Sequence, residues 1–257
     1  MNKMKECSIA SALLTCFSAS ATIVEFNTTQ GSFQVNLYDQ TTPETVGNFL
    51  RYVNQARYVD STVHRSVPNF VVQGGGYKYD GSIPLTAIET NTPVVNEPKL
   101  SNIRGTIAMA KLQNQPNSAT SQWYINLKDN STSLDSDNGG YTVFGEVIGT
   151  QGMAIVDKIS NLNRCGEVPV VNYTSAQCVD TDTNPDGGNL VSVTSVAIID
   201  SDPTTANDLS PPVNVLVNKV PTPTPEPQPT GSSSSGSLFF SIVLMTGVLR
   251  RRFVGVR

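Results

Sequence analysis

The 257-residue chain is 38% hydrophobic and 15% charged, with a formal net charge of −4, which is enough apolar material for a sizeable core. Residues 22–200 carry 10 Lys and Arg against 17 Asp and Glu, an acidic balance that argues against a nucleic-acid binder. His64 is the only histidine, which excludes sites needing several imidazoles and argues against a His-ligated zinc centre.

The N-terminal residues differ from the middle of the chain. Lys3 and Lys5 precede a mostly apolar run, and Ala19-Ser20-Ala21 is the small-x-small pattern read by signal peptidase. Residues 1–21 therefore read as an export signal, with the mature chain starting near Thr22. Apolar and polar residues then alternate on both sides of Thr28-Thr29-Gln30-Gly31, which predicts a hairpin over 23–38. Thr42 can cap a following helix and Pro43 suits its first turn, while Val46, Phe49, Leu50 and Val53 share one stripe.

Three blocks follow. The first is Val63-His64-Arg65-Ser66-Val67-Pro68-Asn69-Phe70-Val71-Val72-Gln73-Gly74-Gly75-Gly76. It sets a cation, an amide and several apolar side chains at alternating positions before a glycine run, the pattern of a strand with a mixed face. The second combines residues 105–110, ending in Ala110, with residues 118–126, which contain Gln122, Trp123 and Tyr124. The third is Tyr141-Thr142-Val143-Phe144-Gly145. A second short helix is predicted over 151–159, where Met153, Val156 and Ile159 share a face, and residues 190–199 offer a closing strand.

In this order the blocks resemble the cyclophilin family of peptidyl-prolyl isomerases, over about residues 22–159. The resemblance implies a mostly β fold, a closed eight-stranded antiparallel barrel capped by two short α-helices. It also implies catalysis of rotation about X-Pro bonds without a cofactor or metal. That rotation crosses an amide-resonance barrier of ~18 to 20 kcal/mol, and what helps is a donor to the pyramidalising proline nitrogen beside an apolar pocket. By resemblance Arg65 is that catalytic donor, Gln73 holds the substrate carbonyl, and Phe70, Val71, Tyr124 and Leu134 line the proline pocket. Ala110 and the backbone of Lys111 run along the peptide, with Gln122 and Tyr141 completing the substrate-binding set. His64 is read as supporting the fold. Alone, Arg65 would read as an ordinary surface ion partner; the spacing to Phe70 and Gln73 carries the functional reading. The pattern departs from the family at Val71, where methionine is usual, and at Tyr124, where phenylalanine is usual. Tyr141 stands where many members have histidine, and Ser133 takes the place of the tryptophan that favours cyclosporin. A shallower, more polar pocket is expected.

Export removes Cys7 and Cys16 and leaves Cys165 and Cys178 as an even pair in an oxidising compartment, so a disulfide is expected, contributing about 3 kcal/mol. Asp182, Asn184 and Asp186 alternate before Gly187 as in a calcium loop, but the closing acid is missing and a solvated turn fits better. Beyond residue 200 the chain becomes Pro-rich and reads as a spacer over 201–230. Residues 231–257 combine a Gly-Ser run, a short apolar segment and Arg250-Arg251-Arg252. That order is similar to GlyGly-CTERM sorting signals of Gram-negative bacteria, which a rhomboid-type protease removes. The apolar segment is short of the roughly 20 residues of a helical span, so removal and anchoring both stand open. The chain thus divides into an export signal (1–21), an isomerase domain (22–200), a linker (201–230) and a sorting or anchor segment (231–257). It reads as an exported, monomeric folding catalyst for proline-containing polypeptides in the periplasm, cell envelope or medium. The rival reading is a non-catalytic peptide-binding module or holdase using the same groove.

Overall fold

The computed structural model describes residues 22–180, 182–202, 205–206 and 209–217. The export signal, most of the Pro-rich spacer and the sorting segment lie outside the described residues. In chain order the elements are β1 (Ile23–Thr28), β2 (Gly31–Leu37), α1 (Pro43–Asn54), β3 (Ser61–Thr62), β4 (Arg65–Val67), β5 (Val71–Gly74), β6 (Tyr77–Lys78) and β7 (Thr86–Ala87). There follow β8 (Thr106–Met109), β9 (Trp123–Asn126), α2 (Ser131–Leu134), a 3-10 turn (Asp137–Gly139), β10 (Val143–Ile148) and α3 (Thr150–Ser160). The last are β11 (Asn163–Cys165), β12 (Val168–Val170), α4 (Ser175–Val179) and β13 (Ser192–Asp200).

The fold is mostly β, as expected, but its detail differs from a closed eight-stranded barrel. The main sheet is a curled antiparallel ladder of eleven strands in the order β4-β5-β9-β8-β10-β2-β1-β13-β3-β6-β7, and among the described residues its two ends are not paired with each other. Very short strands at one end, β3, β6 and β7, raise the count. Register shifts where β1 meets β13 bend the ladder locally, as bulges do. Two helical turns, α2 and α4, add to the two helices that the sequence predicts. The predicted hairpin of β1 and β2 forms, with Thr28 opposite Gly31.

Strand alternation separates two apolar clusters. Val72, Ile107, Met109, Trp123, Ile125 and Phe144 point into the main core with Phe26, Phe49 and Val156. Their immediate neighbours Val71, Ala108, Ala110, Tyr124 and Val143 point to the opposite face and gather with Leu134 and Tyr141. Both faces of these strands are covered, which explains why blocks two and three read as nearly continuous apolar runs.

Helix α1 buries Val46, Phe49, Tyr52 and Val53, with Leu50 packed at the margin of the core. Thr42 occupies the cap position, but its side chain makes no capping bond. The Glu97 carboxylate takes over that role, accepting from the Thr45 backbone N–H at 2.9 Å and from the Thr45 hydroxyl at 2.8 Å. An anion suits a helix N-terminus, where amide donors lack partners and the helix dipole is positive.

Part of the segment assigned to the linker is packed on the domain. Ser101 N–H donates to Pro212 O at 2.9 Å, Asn214 N–H donates to Lys99 O at 2.9 Å, and Asn214 Nδ2 donates to Asp135 O at 2.9 Å. The folded unit therefore extends past residue 200. No helix of the described residues is long and apolar enough to cross a membrane.

Candidate active site

The short turn at 68–70 joins β4 to β5, and Asn69 takes a positive φ of 54° within it, a conformation that asparagine tolerates well. The resulting register sets Arg65 directly opposite Gln73 and Val67 opposite Val71. On the next strand Tyr124 lies opposite Gln73, and beyond it Ala108 lies opposite Tyr124. The period of two thus carries Val71, Gln73, Tyr124, Ala108 and Ala110 to one face, away from the main core.

Arg65, Phe70, Val71, Gln73, Ala110, Tyr124, Leu134 and Tyr141 line one open cleft with about 310 Å³ of empty space. Eight of the ten predicted site residues therefore meet there. Of the remaining two, Gln122 stands just behind the wall, accepting from Gln73 Nε2 at 2.8 Å. Lys111, for which only a backbone role is expected, directly follows Ala110, and its side chain is buried behind Tyr141. Its Nζ donates to Asn138 O at 2.9 Å and Gly140 O at 2.6 Å, and sits 4.6 Å from the centre of the Tyr141 ring. Burial lowers the Lys111 ammonium to about 8.

At the mouth of the cleft, the Arg65 side chain is 24% exposed and its guanidinium carbon lies 5.8 Å from the centre of the Phe70 ring. Nη1 donates to Gln73 Oε1 at a long 3.4 Å, and Nε donates to Glu167 Oε2 at 2.8 Å. Arg65 and Gln73, the latter bonded to Gln122, form one polar edge, facing an apolar wall of Phe70, Val71, Leu134 and the two tyrosine rings. The rings of Tyr124 and Tyr141 meet edge to face at 6.1 Å.

The expectation of a more polar pocket fails at Tyr124. Its hydroxyl donates to Asn102 Oδ1 at 2.8 Å beneath the wall, so the cleft meets the ring and not the oxygen. Burial also raises the Tyr124 hydroxyl well above its ordinary pKa, so it stays neutral. Asn102 is itself held by Asp135, which accepts from its backbone N–H at 2.8 Å and from its Nδ2 at 3.0 Å. Asn102, Asp135 and Glu167 are parts of the site that sequence reasoning missed. Isolated polar residues in loops give no periodic signal. Tyr124→Phe is expected to keep kcat/KM within about twofold and to cost about 1 kcal/mol of stability, the net worth of one buried hydrogen bond. Denaturant unfolding beside a peptide assay checks both.

His64 packs its ring edge to face on Tyr77 at 4.8 Å, and burial lowers its pKa to about 4. It is neutral at pH 7, in keeping with the structural role assigned to it. A folded pKa below the unfolded value of about 6.5 means that the unfolded chain binds more protons between the two values. Stability carried by neutral His64 is thus complete above about pH 6.5 and is lost as pH falls toward 4. Melting temperatures from pH 7 to 4 should fall less steeply in His64→Leu than in the parent.

Cys165 and Cys178 form the expected disulfide, with Cα atoms 5.0 Å apart. The calcium-like segment folds as a turn in which Asp186 Oδ1 accepts from Gly188 N–H at 2.8 Å. Among the described residues there is no cluster of three or more His, Cys, Asp or Glu side chains that could hold a metal.

Comparison with known proteins agrees with this geometry. The family model for cyclophilin type peptidyl-prolyl cis-trans isomerase matches residues 23–179. Peptidyl-prolyl cis-trans isomerase A of Dickeya dadantii is 40% identical over 175 residues, covering 65% of this chain and 88% of the relative. Peptidyl-prolyl cis-trans isomerase B of Escherichia coli is 40% identical over 146 residues, covering 54% of this chain and 85% of the relative. The crystal structure of a cyclophilin type isomerase of Cryptosporidium parvum, obtained in the presence of the dipeptide Ala-Pro, superposes with a TM-score of 0.50 at 18% identity. It covers 69% of this chain and 99% of that one, a likeness of fold. With the family model spanning residues 23–179 and the curled antiparallel sheet carrying an arginine-edged apolar cleft, the chain belongs to the cyclophilin-type peptidyl-prolyl cis-trans isomerases.

Proposed function

We propose that the cleft between Arg65 and Leu134 is where this isomerase turns X-Pro bonds, and that its substrates are exported polypeptides. The observation that carries the reading is the convergence of one half-buried guanidinium, one amide and a wall of apolar side chains on a single open cleft. The apolar wall of Phe70, Val71, Leu134 and Tyr124 holds the proline ring by burying its methylene surface. Gln73, fixed by Gln122, holds the neighbouring carbonyl. As the bond rotates, the proline nitrogen loses amide resonance and gains a lone pair, and a guanidinium N–H of Arg65 stabilises that pair. The donor is already in place before rotation, so little reorganisation is needed at the transition state. No nucleophile is required, because no covalent bond breaks.

The same reading places the protein outside the cytoplasm as a monomer, with residues 1–21 removed, the Pro-rich stretch as spacer and residues 231–257 as sorting or anchor segment. The Cys165–Cys178 disulfide supports that placement, because such bonds persist in oxidising compartments. Exchange spectroscopy on a short X-Pro peptide tests the activity: transfer of magnetisation between cis and trans resonances is expected, and binding without exchange overturns it. Mass spectrometry of envelope and medium fractions tests the sorting. A mature chain beginning near Thr22 and ending before the Arg-rich tail is expected, whereas an intact tail in the membrane means a permanent anchor.

A further inference from the structure

We propose that Glu167 is a positioning residue for the isomerisation, holding the Arg65 guanidinium in its working orientation from the tip of a disulfide-stapled hairpin. The proposal rests on the reading of Arg65 as the catalytic donor. Strands β11 and β12 pair with Cys165 opposite Val168, which leaves Gly166 and Glu167 as the two residues of the turn. Gly166 has a φ of +64°, the positive value that two-residue hairpin turns demand at their first central position, and the turn delivers Glu167 to β4.

The contact has two points. Glu167 O accepts from the backbone N–H of Ser66 at 2.7 Å, pinning the turn to the residue after Arg65. Glu167 Oε2 accepts from Arg65 Nε at 2.8 Å. Nε lies at the root of the guanidinium, so fixing it fixes the plane of the whole group. With Nη1 leaning on Gln73 Oε1, the remaining N–H donors stay free for a substrate.

The hairpin behind Glu167 is itself braced. Cys165, two residues away, is bonded to Cys178 on α4, whose N-terminus is closed by a capping box between Thr174 and Gln177. Arg164 Nη1 donates to Ser160 O at 3.0 Å and Leu162 O at 3.1 Å, tying the hairpin to the end of α3. These anchors make Glu167 a fixed reference point despite a side chain that is 56% exposed. Such exposure means that the ion pair adds little to stability. Its effect belongs in turnover, where a long, flexible arginine would otherwise have to be immobilised during the reaction. The opposing effect, withdrawal of positive field by the carboxylate, is the weaker one, because solvent screens an exposed charge.

The test measures kcat, KM and melting temperature on an X-Pro peptide for Glu167→Ala, Glu167→Gln, Arg65→Ala and the double variant Arg65→Ala with Glu167→Ala. Glu167→Ala is expected to lower kcat about tenfold with KM within about twofold, since it disturbs a group that acts in the transition state. Glu167→Gln should recover most of the loss, because its amide oxygen still accepts from Nε. In the Arg65→Ala background, Glu167→Ala should change nothing further. Cys165→Ser with Cys178→Ser, assayed at a temperature where it is folded, should lower kcat in the parent and have no additional effect beside Glu167→Ala. Wild-type or higher turnover in Glu167→Ala overturns the proposal, as does an equal loss in the Arg65→Ala background. Full activity of Arg65→Ala would instead overturn the assignment of Arg65 itself, so the two failures are distinguishable.

Discussion

Arg65→Ala is expected to lower kcat/KM by about a hundred- to a thousandfold, the usual effect of losing one preorganised donor at a developing lone pair. Stability should change little. The side chain is 24% exposed, its partner Glu167 is 56% exposed, and an ion pair of this kind is worth at most about 1 kcal/mol. Gln73 keeps its bond to Gln122 when Arg65 is removed, so the polar edge is not left empty. Arg65→Lys should fall between the two, because it retains charge but loses the planar fork. A peptide assay together with circular dichroism decides the matter: unchanged turnover, or a variant that no longer folds, contradicts the assignment.

Trp123→Ala is expected to be the most destabilising single truncation in the sheet, by about 3–5 kcal/mol. The indole is 1% exposed and meets Phe26 edge to face with ring centres 5.1 Å apart. It also lies directly on the backbone at Gly74, the last residue of β5, and at the following Gly75. A Cβ built on Gly75 would come within 2.7 Å of the indole and 2.8 Å of Ser121 O, and Gly75 holds a φ of +76° that favours glycine. On that side glycine offers no side chain to move into the space vacated by the ring, so a cavity remains. Tm should drop on the order of 10 °C. Activity should suffer at temperatures where the protein is still folded, since Gln122 and Tyr124 flank Trp123 and depend on the register of β9. A Tm shift of only a degree or two would mean that the core collapses to fill the gap.

The parts of this molecule that the sequence makes legible are those governed by neighbours in the chain. The β1–β2 hairpin was readable because its alternation and its turn lie within 15 residues, and α1 because its apolar stripe repeats on a helical period. The cleft was readable through resemblance, since Arg65, Phe70 and Gln73 keep their offsets within one hairpin. Interactions across long chain separations were not. Glu97 caps a helix from 52 residues away, and Glu167 reaches Arg65 across 102 residues. Neither carboxylate differs in its local sequence from a solvated surface residue. Tyr124 was misread for the same reason, because the partner that turns its hydroxyl away from the cleft, Asn102, sits in a distant loop.

The pairing of the first strand with the last carries a consequence for how the chain folds. Ile23 lies opposite Asp200 and Phe26 opposite Val196, so the outer edge of β1 is covered only by residues made nearly at the end of the domain. A chain emerging N-terminus first can form the β1–β2 hairpin at once, but the β1 groups that face β13 stay unpaired until that strand appears. Such distant pairings slow folding, and an open strand edge meanwhile invites association with other chains. A ribosome-bound intermediate ending before residue 190 therefore presents a bare edge. Because β13 pairs with both β1 and β3, the sheet is completed only once the last residues of the domain have been made.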